Sequence, residues 1–163
     1  MRIQKMVAAI MLLAAAMVAL GTYVGWWNLN LPAGPLPLHH LLVVVGAGYV
    51  LAFVPVYSYV KRRVPQQRSG LLKAHVFGNL IAFLLISAHF AFQMARPSGF
   101  APALGTGLSA YILVLVIVAT GIMQRFGVQS GRVKTWCFVH AGLALSIYVV
   151  VGVHALQNFG ILL

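Results

Sequence analysis

Residues 71–95 read LLKAHVFGNLIAFLLISAHFAFQMA, a long apolar stretch with one lysine and no acidic side chain. An α-helix needs about 20 mostly apolar residues to cross the hydrocarbon core of a bilayer. The stretch therefore predicts a transmembrane helix. His75 and His89 lie inside it, two heptads apart. Because an ionisable side chain within a span is costly, these two residues indicate a functional site.

Four other apolar runs have a similar length, at 6–27, 37–60, 103–126 and 134–157. Residues 31–37 hold three prolines and cannot lie inside a helix. The 163 residues are 62% hydrophobic and 7% charged, against about 25% charged in a soluble domain. We therefore expect an all-α integral membrane protein with five transmembrane helices. Residues 1–34 form an N-terminal helix and an outer proline-rich loop, and residues 35–163 form a four-helix bundle.

The charge balance excludes several classes of function. The chain has a net charge of +11, with no Asp or Glu, and one cysteine. The missing carboxylates exclude glycosidase pairs, Ser-His-Asp triads and carboxylate metal sites. A single cysteine excludes an internal disulfide. The basic residues lie in short clusters between spans, so they indicate membrane topology and not nucleic-acid binding.

Those clusters also predict an orientation. In an alternating five-span topology, Arg96 alone lies on one side. The ten basic residues of the other side are Arg2, Lys5, Lys61, Arg62, Arg63, Arg68, Lys73, Arg125, Arg132 and Lys134. The positive-inside rule then places the N-terminus in the cytoplasm and the C-terminus outside the plasma (inner) membrane. The first span also fits a signal peptide cleaved after Gly21, but we expect it to be retained.

A second pair of histidines repeats the first. His140 and His154 are also two heptads apart, on span 5. Two heptads rise about 21 Å, so each pair occupies one helix face at two depths. Spans 3 and 5 run in the same direction, which puts His75 level with His140 and His89 level with His154. Two bis-histidine pairs at two depths suit two haems b.

Span 4 shows the same interval in its glycines. Gly107 and Gly121 are two heptads apart on a helix of opposite direction, so they match the outer and inner histidine depths. They would leave room for a flat macrocycle. Two plainer interpretations stay open: membrane histidines often form hydrogen bonds between helices, and glycines often serve close packing.

These spacings resemble the di-haem four-helix core of the cytochrome b subunits of quinol–cytochrome c oxidoreductases. They are similar, more loosely, to the cytochrome b anchors of respiratory dehydrogenases and hydrogenases. The resemblance covers residues 37–157. It implies that His75 and His140 bind the inner haem, and that His89 and His154 bind the outer one. Gly107 and Gly121 would be the glycines that clear the porphyrins.

Other residues have more than one interpretation. His39 and His40 open span 2 and could line a quinone pocket, bind a further haem, contact a partner, or simply face interfacial water. Arg96 could pair with the propionates of the outer haem, and Lys73 with those of the inner haem. The alternative for both cations is contact with anionic lipid. Cys137 is expected to be a small core residue.

We therefore expect transmembrane electron transfer by a cytochrome b subunit of a larger respiratory complex. Its electron partner would be quinone, a periplasmic or extracellular cytochrome, or an iron–sulfur subunit. Whether the chain is itself part of a quinol or quinone oxidoreductase is left open. One alternative is a non-redox structural membrane subunit. Another is a stand-alone quinone-reactive oxidoreductase that uses His39 or His40.

Overall fold

The structure is a computed structural model that describes residues 2–97, 105–127 and 133–162. Nearly all of these residues are helical. The elements in chain order are α1 (Arg2–Tyr23), β1 (Pro32–Ala33), β2 (Leu36–Pro37), α2 (Leu38–Arg63), a 3₁₀ turn (Pro65–Gln67), α3 (Arg68–Met94), α4 (Gly105–Phe126) and α5 (Val133–Asn158). All five α-helices are long and apolar enough to cross a membrane. The prediction of an all-α, five-span membrane protein is therefore confirmed.

The first helix is shorter than the sequence predicts. It ends at Tyr23 and not near residue 27, because Gly25 adopts a left-handed backbone with φ +77°. The chain then folds back on itself, and the indole Nε1 of Trp27 donates to Thr22 Oγ1 at 2.8 Å. Gly21 leaves room for the two indoles beneath this turn, since an added Cβ would lie 2.5 Å from Trp27 and 2.7 Å from Trp26.

The proline-rich segment forms a very short antiparallel hairpin. Pro32 pairs with Pro37, and Gly34 turns the chain with φ +75°. Backbone hydrogen bonds then return the start of α2 to the preceding loop, with His39 N donating to Leu29 O at 3.1 Å. The segment is non-helical, as the prolines predict, and it fixes the position of the first turn of α2.

The basic loop between the second and third spans is also shorter than expected. Helix α2 continues to Arg63, and α3 begins at Arg68, so only residues 64–67 separate them. The last turn of α2 contains Lys61 and Arg62, cations that interact favourably with a helix C-terminus.

The chain divides into two compact units, Met1–Ala101 and Pro102–Leu163. In the first unit α3 is central and packs against both α1 and α2. Helix α1 buries Ala8, Ala15 and Thr22, which recur once per heptad. Gly46 brings α2 close to α3, since an added Cβ would lie 2.9 Å from Ala82 O. Small residues commonly allow membrane helices to pack this closely.

Helix α1 therefore belongs to the same compact unit as α2 and α3. The division of the chain at residue 34 stays a prediction. The second unit is an antiparallel pair in which α4 packs against α5. Phe138 is 80% exposed and Leu145 is 71% exposed on α5. Extensive exposure of large apolar side chains marks a membrane or partner surface, and five spans make lipid the natural environment.

Candidate functional site

In the second unit, each glycine singled out on α4 lies against a histidine ring of α5. A Cβ added to Gly121 would lie 3.2 Å from His140 Cε1, and one added to Gly107 would lie 3.1 Å from His154 Cε1. The two contacts are the same arrangement repeated at two depths. The glycines thus make room for the imidazoles. Their expected role in clearing a porphyrin stays a prediction.

A threonine hydroxyl meets the His140 ring beside Gly121. Thr120 Oγ1 lies 3.0 Å from His140 Nδ1, and it also lies 2.9 Å from Val116 O and 3.0 Å from Ile117 O. A carbonyl can only accept, so a hydroxyl proton directed at the backbone leaves Oγ1 free to accept from Nδ1–H. That arrangement goes with the tautomer of His140 that has its lone pair on Nε2.

The same contact occurs at the other end of the hairpin. Thr106 Oγ1 donates to Gln157 Oε1 at 2.7 Å and lies 3.2 Å from His154 Nδ1. With its proton given to Gln157, Thr106 Oγ1 is placed to accept from Nδ1–H, as Thr120 Oγ1 is. The surroundings differ, because Asn158 Nδ2 lies 3.3 Å from Nδ1 and 3.4 Å from Nε2 of His154. His154 consequently lies among side-chain amides, whereas His140 lies beside backbone carbonyls.

Neither threonine stands out among the ionisable residues of the sequence, although the sequence carries a signal for both. The dipeptide Thr-Gly occurs at 106–107 and again at 120–121, which is the same two-heptad interval as that of the histidines of α5. Considering the residue before each glycine would have found it.

In the first unit, His75 lies in an aromatic and amide environment. The Tyr57 ring stacks on it at 4.5 Å between centroids with 15° between planes. The amide of Asn79 lies 3.1 Å from His75 Nδ1, while Asn79 Oδ1 is buried without a hydrogen-bond partner in the described chain. As placed, the Asn79 amide N–H donates to His75 Nδ1, which puts the ring proton on Nε2. Exchanging the oxygen and nitrogen of that amide would let Oδ1 accept from Nδ1–H instead.

His89 lies at the opposite end of α3, against the first turn of α2. Its Nδ1 donates to the backbone carbonyl of His39 at 3.0 Å. The rings of His39 and His40 lie 5.8 and 5.5 Å from the ring of His89 between centroids, and Phe92 stacks on His39 at 4.3 Å. The structure therefore brings His39 and His40 together with His89.

His39 is buried and does not face water. Only 1% of it is exposed, and Nδ1 donates to Leu29 O at 3.1 Å. Its Nε2 is buried and has no hydrogen-bond partner among the residues that the structure describes. The interpretation of His39 as an interfacial histidine in water is therefore wrong. A role for His39 or His40 with quinone or a further haem stays a prediction.

The other residues proposed from sequence lie near the surface. Arg96 is exposed, donates to Gln93 Oε1 at 3.2 Å, and borders an open groove of about 510 Å³ in the first unit. Lys73 is exposed on α3. Their pairing with haem propionates stays a prediction. Cys137 is exposed on α5, so its expected place in the core is wrong.

The histidine environments fit axial ligands of haem. In the described ranges 2–97, 105–127 and 133–162, no three histidine or cysteine side chains are arranged to hold a bare metal ion. A haem iron needs only two protein ligands, because the porphyrin fills the other four positions. Histidine ligands generally bind metal through one ring nitrogen and donate the other N–H to a second group. His89 donates its Nδ1–H to a backbone carbonyl in this way. The Thr120 and Thr106 hydroxyl oxygens are placed to accept from His140 and His154. The pairing of α3 histidines with α5 histidines stays a prediction.

Five long apolar helices define a multi-pass helical membrane protein. Comparison with family models, with characterised proteins and with solved structures finds no match. The function is therefore inferred from the side chains of this chain itself.

Proposed function

We propose that this protein is a membrane cytochrome b that carries electrons across the bilayer through two bis-histidine haems b. His75 and His140 would hold one haem, and His89 and His154 the other. The bound haems would supply one-electron oxidation and reduction. The observation that supports the proposal is the repeated arrangement on α4 and α5, in which a glycine leaves room for each histidine ring and a threonine accepts its Nδ1–H.

The residues around each histidine do three things in this proposal. A hydrogen bond donated by Nδ1–H leaves the lone pair on Nε2, the nitrogen that would bind iron. At His154 the Asn158 amide lies 3.4 Å from Nε2 and would have to turn away. The hydrogen bonds at Nδ1 also fix the rotation of each imidazole ring. The apolar helices keep water from the iron, which tunes its reduction potential together with the axial ligands. The pairing across α3 and α5 rests on their equal two-heptad intervals in the sequence.

Electrons that cross a membrane need a donor on one side and an acceptor on the other, so the protein would exchange them with partners. We propose that it is a subunit of a larger redox complex in the plasma (inner) membrane. Its partners would be quinone, an external cytochrome or an iron–sulfur subunit. The distribution of basic residues supports an N-terminus in the cytoplasm and a C-terminus outside.

The first experiment is a reduced-minus-oxidised visible spectrum of the purified chain, with haem counted as the pyridine haemochrome. The expected result is two haems b per chain with bis-histidine spectra. One haem would mean that one histidine pair serves only helix packing. A chain expressed with adequate haem supply that holds none would overturn the proposal.

The orientation can be tested with single cysteines, because the chain contains one cysteine to remove. In a Cys137→Ser background, Asn30→Cys places a thiol in the loop after α1, and Gln67→Cys places one between α2 and α3. Both parent residues are exposed. A membrane-impermeant maleimide applied to intact cells is expected to label Asn30→Cys and to leave Gln67→Cys unlabelled until the cells are opened. The reverse pattern would show that the N-terminus lies outside.

A structural membrane subunit is the second candidate, and one contact favours it. The 3.0 Å bond between Thr120 and His140 joins α4 to α5, which a protein without haem could use for packing. Polar bonds between membrane helices contribute about 0.6 kcal/mol on average. Under this alternative, the His140→Ala variant would lower stability by about that amount, and neither variant nor parent would absorb visible light.

A further inference from the structure

We propose that Thr106 and Thr120 are positioning residues that set the affinity and potential of the two haems separately. The inference rests on the proposed function and adds to it two residues that bind no iron themselves. Each threonine accepts the Nδ1–H of one α5 histidine, at 3.2 Å for His154 and at 3.0 Å for His140.

A threonine is suited to this position because its hydroxyl donates one proton and still accepts another. Thr120 gives its proton to a backbone carbonyl of α4, and Thr106 gives its proton to Gln157. Each lone pair is therefore directed at Nδ1. An imidazole whose N–H is bonded in this way is a more basic ligand, and a more basic ligand favours ferric iron.

The two threonines act in different surroundings. Thr120 is only 4% exposed. Thr106 has two side-chain amides nearby. The Gln157 amide bonds to Thr106 itself, and the Asn158 amide lies within hydrogen-bond distance of His154. Because the two sites lie two heptads apart on the same pair of helices, changing one threonine should alter one haem and leave the other unchanged.

The test compares the parent chain with Thr120→Val, Thr106→Val and Thr120→Ser. Valine keeps the branched shape of threonine and removes the hydroxyl, while serine keeps the hydroxyl. Ser109→Ala is the matched control. It also removes a hydroxyl from α4, but the Ser109 hydroxyl donates to Gly105 O of its own helix. Circular dichroism checks that each form remains helical.

Two measurements follow haem binding and potential. Each valine variant is expected to retain its haem about 10- to 100-fold more weakly. Its reduction potential is expected to rise, because the ferric state loses the more basic ligand. A tenfold change in the ratio of ferric to ferrous affinity corresponds to about 59 mV for one electron. Thr120→Val and Thr106→Val should move different transitions of the redox titration, and Thr120→Ser should restore the parent potential.

A third measurement needs no haem. Nitrogen-15 NMR of histidine-labelled, haem-free chain is expected to show His140 with its proton on Nδ1 in the parent, and to show loss of that preference in Thr120→Val. A parent without haem would overturn the proposed function, while this NMR result would still test the role of Thr120.

Three results would overturn the positioning role. The first is a haem-loaded Thr120→Val whose potential and haem retention equal those of the parent. The second is a Ser109→Ala control with the same shift as Thr120→Val. The third is a pair of valine variants that move both haems equally. If Thr120→Val loses its helical signal, the test uses Thr106→Val and Thr120→Ser instead. Their haem retention and reduction potentials then show whether the threonine hydroxyls have the positioning role.

Discussion

Replacement of His140 by alanine is expected to lower the haem content of the purified chain from two to one. His140 of α5 is hydrogen-bonded to Thr120 of α4. Its Cε1 atom lies 3.2 Å from the position that a Cβ on Gly121 would take. Alanine removes the nitrogen that would bind iron and supplies no substitute. The haem pairing then leaves His75 as a single ligand, which would hold the macrocycle far more weakly.

The measurement is the haemochrome count of purified His140→Ala against the parent, with the low-spin bis-histidine spectrum recorded for the remaining haem. His154→Ala should remove the other haem, and the double variant should remove both. Ser146→Ala is the matched control, because Ser146 is an exposed polar residue of the same helix whose hydroxyl donates to Gly142 O. A His140→Ala protein with two haems and the parent spectrum would show that His140 is not an axial ligand.

The same variants separate haem binding from helix packing. If His140 serves packing alone, the Thr120→Val and His140→Ala changes should be coupled in a double-mutant cycle of unfolding free energy. Membrane hydrogen bonds measured in this way contribute about 0.6 kcal/mol, and at most about 1.7 kcal/mol. Coupling of that size without visible absorbance would favour the structural subunit.

The apolar length of each run was enough to predict the five helices. In lipid every backbone polar group must be hydrogen-bonded within the protein, and a helix achieves this within one segment. The helix ends were less predictable. Helix α1 ends at Tyr23 because Gly25 takes a positive φ and the Trp27 indole bonds to Thr22, and neither feature follows from hydropathy. Helix α3 begins at Arg68, three residues before the apolar run at 71–95. Hydropathy marks only the apolar part of a helix, and polar residues at the membrane surface can continue it.

The histidines were found from sequence because ionisable residues are conspicuous in an apolar run. Their partners were not found, because threonine is a common residue in membrane helices and its hydrogen bonds depend on which helix it faces. The burial of His39 was also missed. The short hairpin returns the chain so that Leu29 O accepts hydrogen bonds from His39. The sequence alone does not show that these two residues, ten positions apart, come into contact.

Replacement of Gly121 by leucine is expected to displace the His140 ring and to release the haem that this ring would bind. A Cβ at position 121 would lie 3.2 Å from His140 Cε1, closer than the roughly 3.5–4.0 Å that carbon atoms prefer. The rest of the leucine side chain would need the space that the imidazole fills. Overpacking of this kind costs about 1–3 kcal/mol, so the unfolding free energy should also fall.

Gly142→Leu is the matched control for this variant. Gly142 lies on α5 two residues after His140, so it is turned to a different side of the helix. Among the described residues, no atom beyond the neighbouring backbone of α5 lies within 4 Å of a Cβ added there. The control should therefore keep the parent haem content and stability, while Gly121→Leu should lose one haem and Gly107→Leu the other. A Gly121→Leu protein with two haems would show that the His140 ring does not need the space that this glycine leaves. If Gly142→Leu loses haem equally, the loss comes from any large side chain added to the α4–α5 hairpin and not from the position of Gly121.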